Sequence, residues 1–235
     1  MDELYRRYES TSNHKRLAHQ ARYLAKRYSW SLIVGGTKLF KRASDMAVSA
    51  VMLILLAPLF GLVALIIKSI DKGPVLFWQI RVGQWGREFP FPKFRSMVID
   101  AERLKDALLE QNQHGDGVTF KMKRDPRVTW IGRILRKFSI DELPQLWCVL
   151  CGDMSLVGPR PPVPREVARY TLMDRRRLDA KPGLTCIWQV SGRGDVPFDR
   201  QVELDIQYIE SQSVLLDFVL LLKTVPAILI GKGAY

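Results

Sequence analysis

The hydrophobic pattern changes texture several times along the chain. From Met46 to Ile67 it runs for 22 residues without a charge, bounded by Lys41, Arg42 and Asp45 before and by Lys68, Asp71 and Lys72 after. That length is enough to cross a bilayer as a helix, and a buried core helix is rarely apolar for so long. From Gly73 the runs shorten, and Val75 to Val82 and Phe89 to Met97 predict two strands joined by a Gly83-x-x-Gly86 turn. Ile99 to Gln111 reads as a helix and Gln111 to Thr119 as a polar loop. Leu143, Leu146, Trp147 and Leu150 follow i, i+3, i+4, i+7 spacing and predict one apolar helix face. Pro144 has no N–H, so that helix opens at Asp141 or Glu142. Met154 to Val157 predicts a short strand, Arg165 to Asp179 a charged helix ended by Lys181-Pro182-Gly183, and Phe198 to Ser211 a further helix. Val214 to Ile230 is apolar but interrupted by Asp217, Lys223 and Pro226, which argues for a helix packed on the domain or lying in a membrane interface. The sum is an α+β protein, mostly helical with a small β-hairpin or sheet.

Within the long apolar run, Pro58 removes a backbone hydrogen bond and should kink or break the helix, with Gly61 loosening it further. Basic residues flank both ends, and such flanks prefer the cytosol, so a straight crossing would strand one of them. A re-entrant hairpin that turns back at Ala57-Pro58 keeps both flanks on one face, the full span being the alternative. Residues 1–31 are polar and basic with loosely spaced Tyr5, Tyr8, Leu17, Tyr23, Leu24 and Tyr28, an arm that is solvated, disordered or laid on an anionic bilayer. The expected organisation is an arm over 1–40, a re-entrant membrane hairpin over 41–70 and a domain on the cytosolic face over 71–235.

The charge balance is +12, and residues 1–42 hold ten Lys or Arg against three acids. A chain so basic suits polyanions: nucleic acid, an anionic membrane surface or phosphorylated substrates. Three cysteines are too few for a disulfide scaffold, and Cys148-x-x-Cys151 has no second ligand pair near it. The three histidines show no ligand or triad spacing.

Candidate chemistry concentrates in Ser139 to Pro162. Asp141 and Glu142 sit where a helix opens and unpaired N–H groups favour negative charge, so they are either helix caps or reactive carboxylates. Ser139-x-x-Glu142 matches a capping box, although Pro144 would then lie one turn too deep. Arg160 is held between prolines, which leaves its guanidinium little entropy to lose on binding phosphate. Upstream, Gly132-Arg133-Ile134-Leu135-Arg136-Lys137 runs straight into the acid pair, and these cations can neutralise a phosphate attacked there. A strand through Lys93 and Arg95 would place both on one face, either as anion ligands or as a solvated edge.

Taken together, the chain resembles the bacterial sugar transferases, the monotopic phosphoglycosyl transferases that start exopolysaccharide and O-antigen synthesis on a polyprenyl phosphate carrier. The resemblance covers about Lys41 to Tyr235. Its motifs are Lys41-Arg42-x-x-Asp45, Arg81-Val82-Gly83, Lys93-Phe94-Arg95-Ser96-Met97, Asp125-Pro126-Arg127-Val128-Thr129, Leu135-Arg136-Lys137, Asp141-Glu142-Leu143-Pro144-Gln145-Leu146, Gly152-Asp153-Met154-Ser155, Val157-Gly158-Pro159-Arg160-Pro161, Lys181-Pro182-Gly183-Leu184-Thr185 and Trp188-Gln189-Val190. It implies that Asp141 attacks the β-phosphate of a UDP-sugar, releases UMP and carries the sugar phosphate until a lipid phosphate takes it. Glu142 would assist proton transfer, and Mg²⁺, held at Asp141, would neutralise the diphosphate. Arg136 and Arg160 match family phosphate positions, and Lys93, Arg95, Gln189 and Arg193 complete the candidate substrate-binding set.

The implied partners are a UDP-sugar, with a lean to galactose or glucose, polyprenyl phosphate and inner-membrane lipids. No nucleic acid is implied, a homo-oligomer stays open, and the implied place is the cytosolic face of the bacterial inner membrane. Ala57, Cys148 and Cys186 depart from common family residues without touching the proposed chemistry. The alternative is a membrane-anchored basic scaffold that binds acidic partners without catalysis.

Overall fold

The structure, a computed structural model of the chain, describes residues 13–101, 103, 104 and 125–230. Contacts divide the chain into Met1–Ser44 and Asp45–Tyr235. The first unit is helical from Asn13, with exposed side chains from residues 35 to 40. The expected reading of residues 1–12, of most of the helix to Gln111 and of the loop after it lies outside the described residues; Ala101, Arg103 and Leu104 are helical as expected.

Helix α1, Asn13–Asp71, carries the long apolar run and continues through Pro58 without a break. The expected break at Ala57-Pro58 is therefore corrected: residues on both sides are helical. The run is not equally apolar in use. Asp45, Ser49, Leu53, Leu56, Phe60, Val63 and Ile67 are buried or packed on the domain, and their steps of three or four make one helical stripe. Val48, Val51, Ile54, Leu55, Leu62 and Leu65 remain exposed.

Strands β1, Leu76–Val82, and β2, Glu88–Phe94, form the expected antiparallel hairpin, with Arg81 opposite Phe89. Pro90 and Pro92 are tolerated in β2 because a two-stranded sheet has an unpaired edge on each strand. Phe89 and Phe91 face one core with Leu146, Val149, Met154, Val157, Tyr208 and Leu220, while Phe94 joins Val63, Ile67, Ile131 and Leu135 in another.

Helix α2, Trp130–Lys137, opens at Thr129, whose hydroxyl accepts from the Gly132 N–H at 3.0 Å. A Cβ on Gly132 would overlap the Ser96 carbonyl, so the glycine lets α2 lie directly on the chain that leaves β2. A 3₁₀ helix, Ile140–Gln145, then leads into α3, Leu146–Cys151. This corrects the predicted single amphipathic helix. The tighter 3₁₀ turn shifts the phase, so Leu146, Cys148 and Val149 are buried and Trp147 is exposed.

Strand β3, Ser155–Val157, pairs in parallel with β4, Gly183–Thr185. The helix expected from Arg165 to Asp179 is instead three pieces: α4, Pro164–Val167, α5, Leu172–Arg175, and a 3₁₀ turn, Arg176–Asp179. Thr171 and Asp174 cap each other's backbone N–H groups and restart the chain at α5. Arg177 turns inward to Asp205, with contacts of 2.6 and 2.8 Å. After α6, Ile187–Ser191, a 3₁₀ turn spans Arg193–Asp195.

Helices α7, Phe198–Ser211, and α8, Val214–Ile230, occupy the predicted spans. The charge that interrupts α8 is explained by burial: the Tyr208 hydroxyl lies 2.7 Å from the Asp217 carboxylate and 2.9 Å from the Val157 carbonyl, tying α7, α8 and β3 together. Gly132→Ala is expected to destabilise the protein by about 2–3 kcal/mol, the cost of forcing a methyl group into a filled contact. Gly61→Ala, with open space around it, is the control that should not destabilise, and denaturant melts of both variants provide the check.

Candidate active site

Four segments converge on the acid pair. Ser139 takes a left-handed conformation (φ 52°) that turns the chain from α2 into the 3₁₀ helix. Its hydroxyl makes no cap and instead accepts from Arg193 Nη2 at 2.7 Å. The capping explanation for Glu142 is thereby set aside. Glu142 Oε1 accepts from Lys93 Nζ at 2.6 Å and from Arg160 Nη1 at 3.4 Å. Strand β2 and the Pro-flanked loop after β3 thus reach one carboxylate from two directions.

Asp141 is buried, and among the described residues no side chain is hydrogen-bonded to its carboxylate. Burial raises its carboxyl above the ordinary aspartate value; Lys93 pulls against that shift, Glu142 adds to it, and Arg136 and Arg160 pull against it again. Glu142 goes the other way. Burial alone would raise it, but Lys93 and Arg160 outweigh that and hold it well below the usual carboxylate range. Two neighbouring carboxyls pushed apart in this way are suited to different tasks. Lys93 itself is lowered by its burial, with Glu142 pulling it back up.

Arg136 donates from Nε to the Ser96 hydroxyl at 3.0 Å, which fixes the guanidinium beside the acid pair. Arg193 pairs with Ser139, and its Nη1 is buried without a hydrogen-bond partner among the described residues. Asp141, Glu142, Lys93, Arg136, Arg160 and Arg193 are therefore brought together. Two other candidates make their hydrogen bonds elsewhere among the described residues. Arg95 follows the last residue of β2, gives its backbone N–H to Val75, and keeps a buried Nε unpaired among the described residues. Gln189 on α6 accepts from Cys186 Sγ at 3.1 Å.

Sequence reasoning missed Ser96 and Arg81 as parts of the site. Both lay inside recognised motifs, but the support they give passes through side-chain contacts 40 and 80 residues away in sequence. Lys93→Met should destabilise the protein by on the order of 3 kcal/mol at neutral pH, because a buried partner loses its closest counter-charge. Glu142, whose folded pKa is lowered, contributes stability above its unfolded value and loses it as pH falls. The deficit of Lys93→Met should accordingly shrink towards pH 4, and urea melts at the two pH values measure it.

Comparison with known proteins bears on this geometry. The model of the family described as bacterial sugar transferase matches residues 36–231. A galactosyl transferase, CpsE, of Streptococcus agalactiae serotype III is 52% identical over 165 residues, covering 70% of this chain and 36% of that protein. The exopolysaccharide production protein ExoY of Sinorhizobium fredii is 39% identical over 205 residues, covering 86% of this chain and 90% of the relative. An undecaprenyl-phosphate galactose phosphotransferase of Salmonella typhimurium is 43% identical over 203 residues, 85% of this chain and 42% of the relative. The chain thus spans less than half of two of these relatives and nearly all of the third. With the acid pair and its cations in place, and with a match over most of its length, the chain belongs to the bacterial sugar transferase family.

Proposed function

We propose that this protein moves a hexose 1-phosphate from a UDP-sugar, galactose or glucose, to polyprenyl phosphate, as the first membrane step of exopolysaccharide or related glycan synthesis. The observation that carries the reading is the buried Asp141, unbonded among the described residues, beside a Glu142 already engaged by Lys93 and Arg160. One carboxylate is free to react while its neighbour holds the cations. The raised pKa of Asp141 makes its oxygen more basic, and hence a better nucleophile once ionised.

In the first step an Asp141 oxygen bonds to the phosphorus that bears the sugar. The bond from that phosphorus to the bridging oxygen breaks, and UMP leaves with the electron pair. In the second step an oxygen of the lipid phosphate bonds to the same phosphorus and returns the Asp141 carboxylate, giving a polyprenyl diphosphate sugar. Glu142, kept ionised by Lys93 and Arg160, holds those two cations toward the transferring group. Lys93, Arg136, Arg160 and Arg193 face the transferring group and neutralise its charge. Mg²⁺ fits a site with one unbonded carboxylate, since it is commonly held by one or two carboxylates completed by substrate phosphates and water. Asp141 would hold it, and the ion would supply charge neutralisation on the diphosphate.

The membrane reading is part of the proposal. Residues 41–70 dip into the cytosolic leaflet of the inner membrane with the exposed side of a continuous helix and keep both ends on the same face. What supports it is that both ends of the apolar run meet one domain. Asp45 accepts from the Ser155 hydroxyl at 2.7 Å and the Leu156 N–H at 3.3 Å, and Ile67 packs with Phe94 and Leu135. A straight crossing would carry one end away from that domain. Helix α8 packs beside Leu53 and Leu56 through Leu216, Leu220 and Leu221 and leaves Leu215, Phe218, Leu222, Val225 and Leu229 exposed, a face suited to the interface.

Detergent-solubilised protein incubated with UDP-galactose or UDP-glucose, polyprenyl phosphate and Mg²⁺ should release UMP. Asp141→Asn should lower release by about three orders of magnitude or more, and the mass of a phosphohexose adduct, seen with donor alone in the parent protein, should be missing from it. Near-normal turnover by that variant would sink the mechanism. Single cysteines at Met46 and Lys72 should react with an impermeant maleimide from the same side of sealed vesicles, and labelling from opposite sides would refute the re-entrant reading.

A further inference from the structure

Arg81 takes no part in the transfer described above, yet it is buried at the end of β1 next to the cations that do. Its Nη1 donates to the Pro161 carbonyl at 2.9 Å and its Nη2 to Gln79 Oε1 at 2.7 Å. The N–H of the next residue, Val82, donates to the Pro162 carbonyl, also at 2.9 Å. Two consecutive residues of β1 therefore grip the two carbonyls that follow Arg160. On the other side of Arg160, the Gly158 N–H donates to the Thr185 carbonyl at 3.0 Å and the Gly183 N–H to the Pro159 carbonyl at 2.9 Å. The loop is pinned before and after its arginine.

A neutral donor could hold the Pro161 carbonyl, so the choice of a guanidinium needs a reason. Burial, and then the like charge of Arg160, bring the Arg81 pKa down to about 10, which marks the site as unfavourable for a cation. Its Nε is buried with no hydrogen-bond partner among the described residues. What a cation adds is field: Arg81 is among the groups that hold Glu142 ionised, and it lies 5.2 Å from the centre of the Phe91 ring over which Lys93 Nζ also sits, at 5.5 Å. Both effects, the pinned loop and the added positive charge, act on groups that face the donor's diphosphate.

We propose that Arg81 is a positioning residue for the diphosphate of the sugar donor, acting through Arg160 by fixing the loop that carries it and by adding positive charge behind it. The inference rests on the transfer reading above. It separates binding from chemistry, because Arg81 does not touch Asp141 and should influence how well the donor is held more than how fast its phosphorus is attacked.

Steady-state kinetics and equilibrium UDP binding on the full chain provide the test. Arg81→Lys keeps the charge and loses the two-armed grip; the donor KM and the UDP dissociation constant should each rise about tenfold with kcat within about threefold. Gln79→Leu, which removes only the partner that orients Arg81, should move KM the same way by a smaller factor. Once Arg160 is Lys, adding Arg81→Lys should worsen KM by no more than about twofold, since residues that act as a unit do not add. Fully multiplying effects, or an unchanged KM in folded Arg81→Lys or Gln79→Leu protein whose melting temperature alone has dropped, would overturn the role. Should Arg81→Lys fail to fold, Gln79→Leu combined with Arg160→Lys decides the matter by the same criterion. A parent protein that binds no UDP and releases no UMP would instead remove the transfer reading and this inference with it, whereas an active parent with additive variants removes the inference alone.

Discussion

Two adjacent carboxylates cannot both be taken out of water unless cations come with them. Each buried ion costs several kcal/mol even after relaxation, and Asp141 and Glu142 are neighbours on one 3₁₀ turn. The structure meets this cost for Glu142 directly, with Lys93 and Arg160 on one oxygen. That demand dictates much of the fold, because the two cations come from opposite parts of the chain. The β1–β2 hairpin must lie against the acid turn, and so must the loop leaving β3. Asp141 is treated differently: surrounding cations lower its cost without a hydrogen bond among the described residues, and it stays more basic than its neighbour.

The elements legible in the sequence were those whose pattern is local. The α7 and α8 spans follow from periodicity and bounding residues, and the hairpin follows from two apolar runs around Gly83 and Gly86. The acid pair, Lys93, Arg136, Arg160 and Arg193 were found by residue type and motif. Failures came where an irregular turn or a distant partner decides. Trp147 fits an apolar helix face by spacing, but the preceding 3₁₀ turn rotates it out. Arg165 to Asp179 has helical composition, yet the Thr171–Asp174 caps and the inward turn of Arg177 to Asp205 divide it. Arg81 reads as an ordinary strand residue until its 80-residue contact with Pro161 is seen.

The long apolar run illustrates a different limit. A segment with no charge and a single serine carries little information about which side is packed. Only the folded chain separates the stripe from Asp45 to Ile67, which meets the domain, from the outward residues such as Ile54 and Leu65. Asp45 could be noticed in sequence as a charge before the run, but not as a buried acceptor for Ser155 and Leu156.

That stripe also explains why the cations of the site hold their places. Lys93 precedes Phe94, whose ring meets Phe60 of α1 edge-on at 5.3 Å. Arg136 follows Leu135, packed with Val63 and Ile67 of the same helix. Arg160 follows β3, which α1 grips through Asp45. Each of these three cations is thus within a few residues of an anchor on α1, while its charged end turns to the acid pair. A helix that serves as the shelf for the site also fixes the site's distance from whatever surface the exposed side of that helix enters. Loss of packing along the stripe would then disturb the spacing of the cations and the depth of Asp141 together, because one row of side chains sets both.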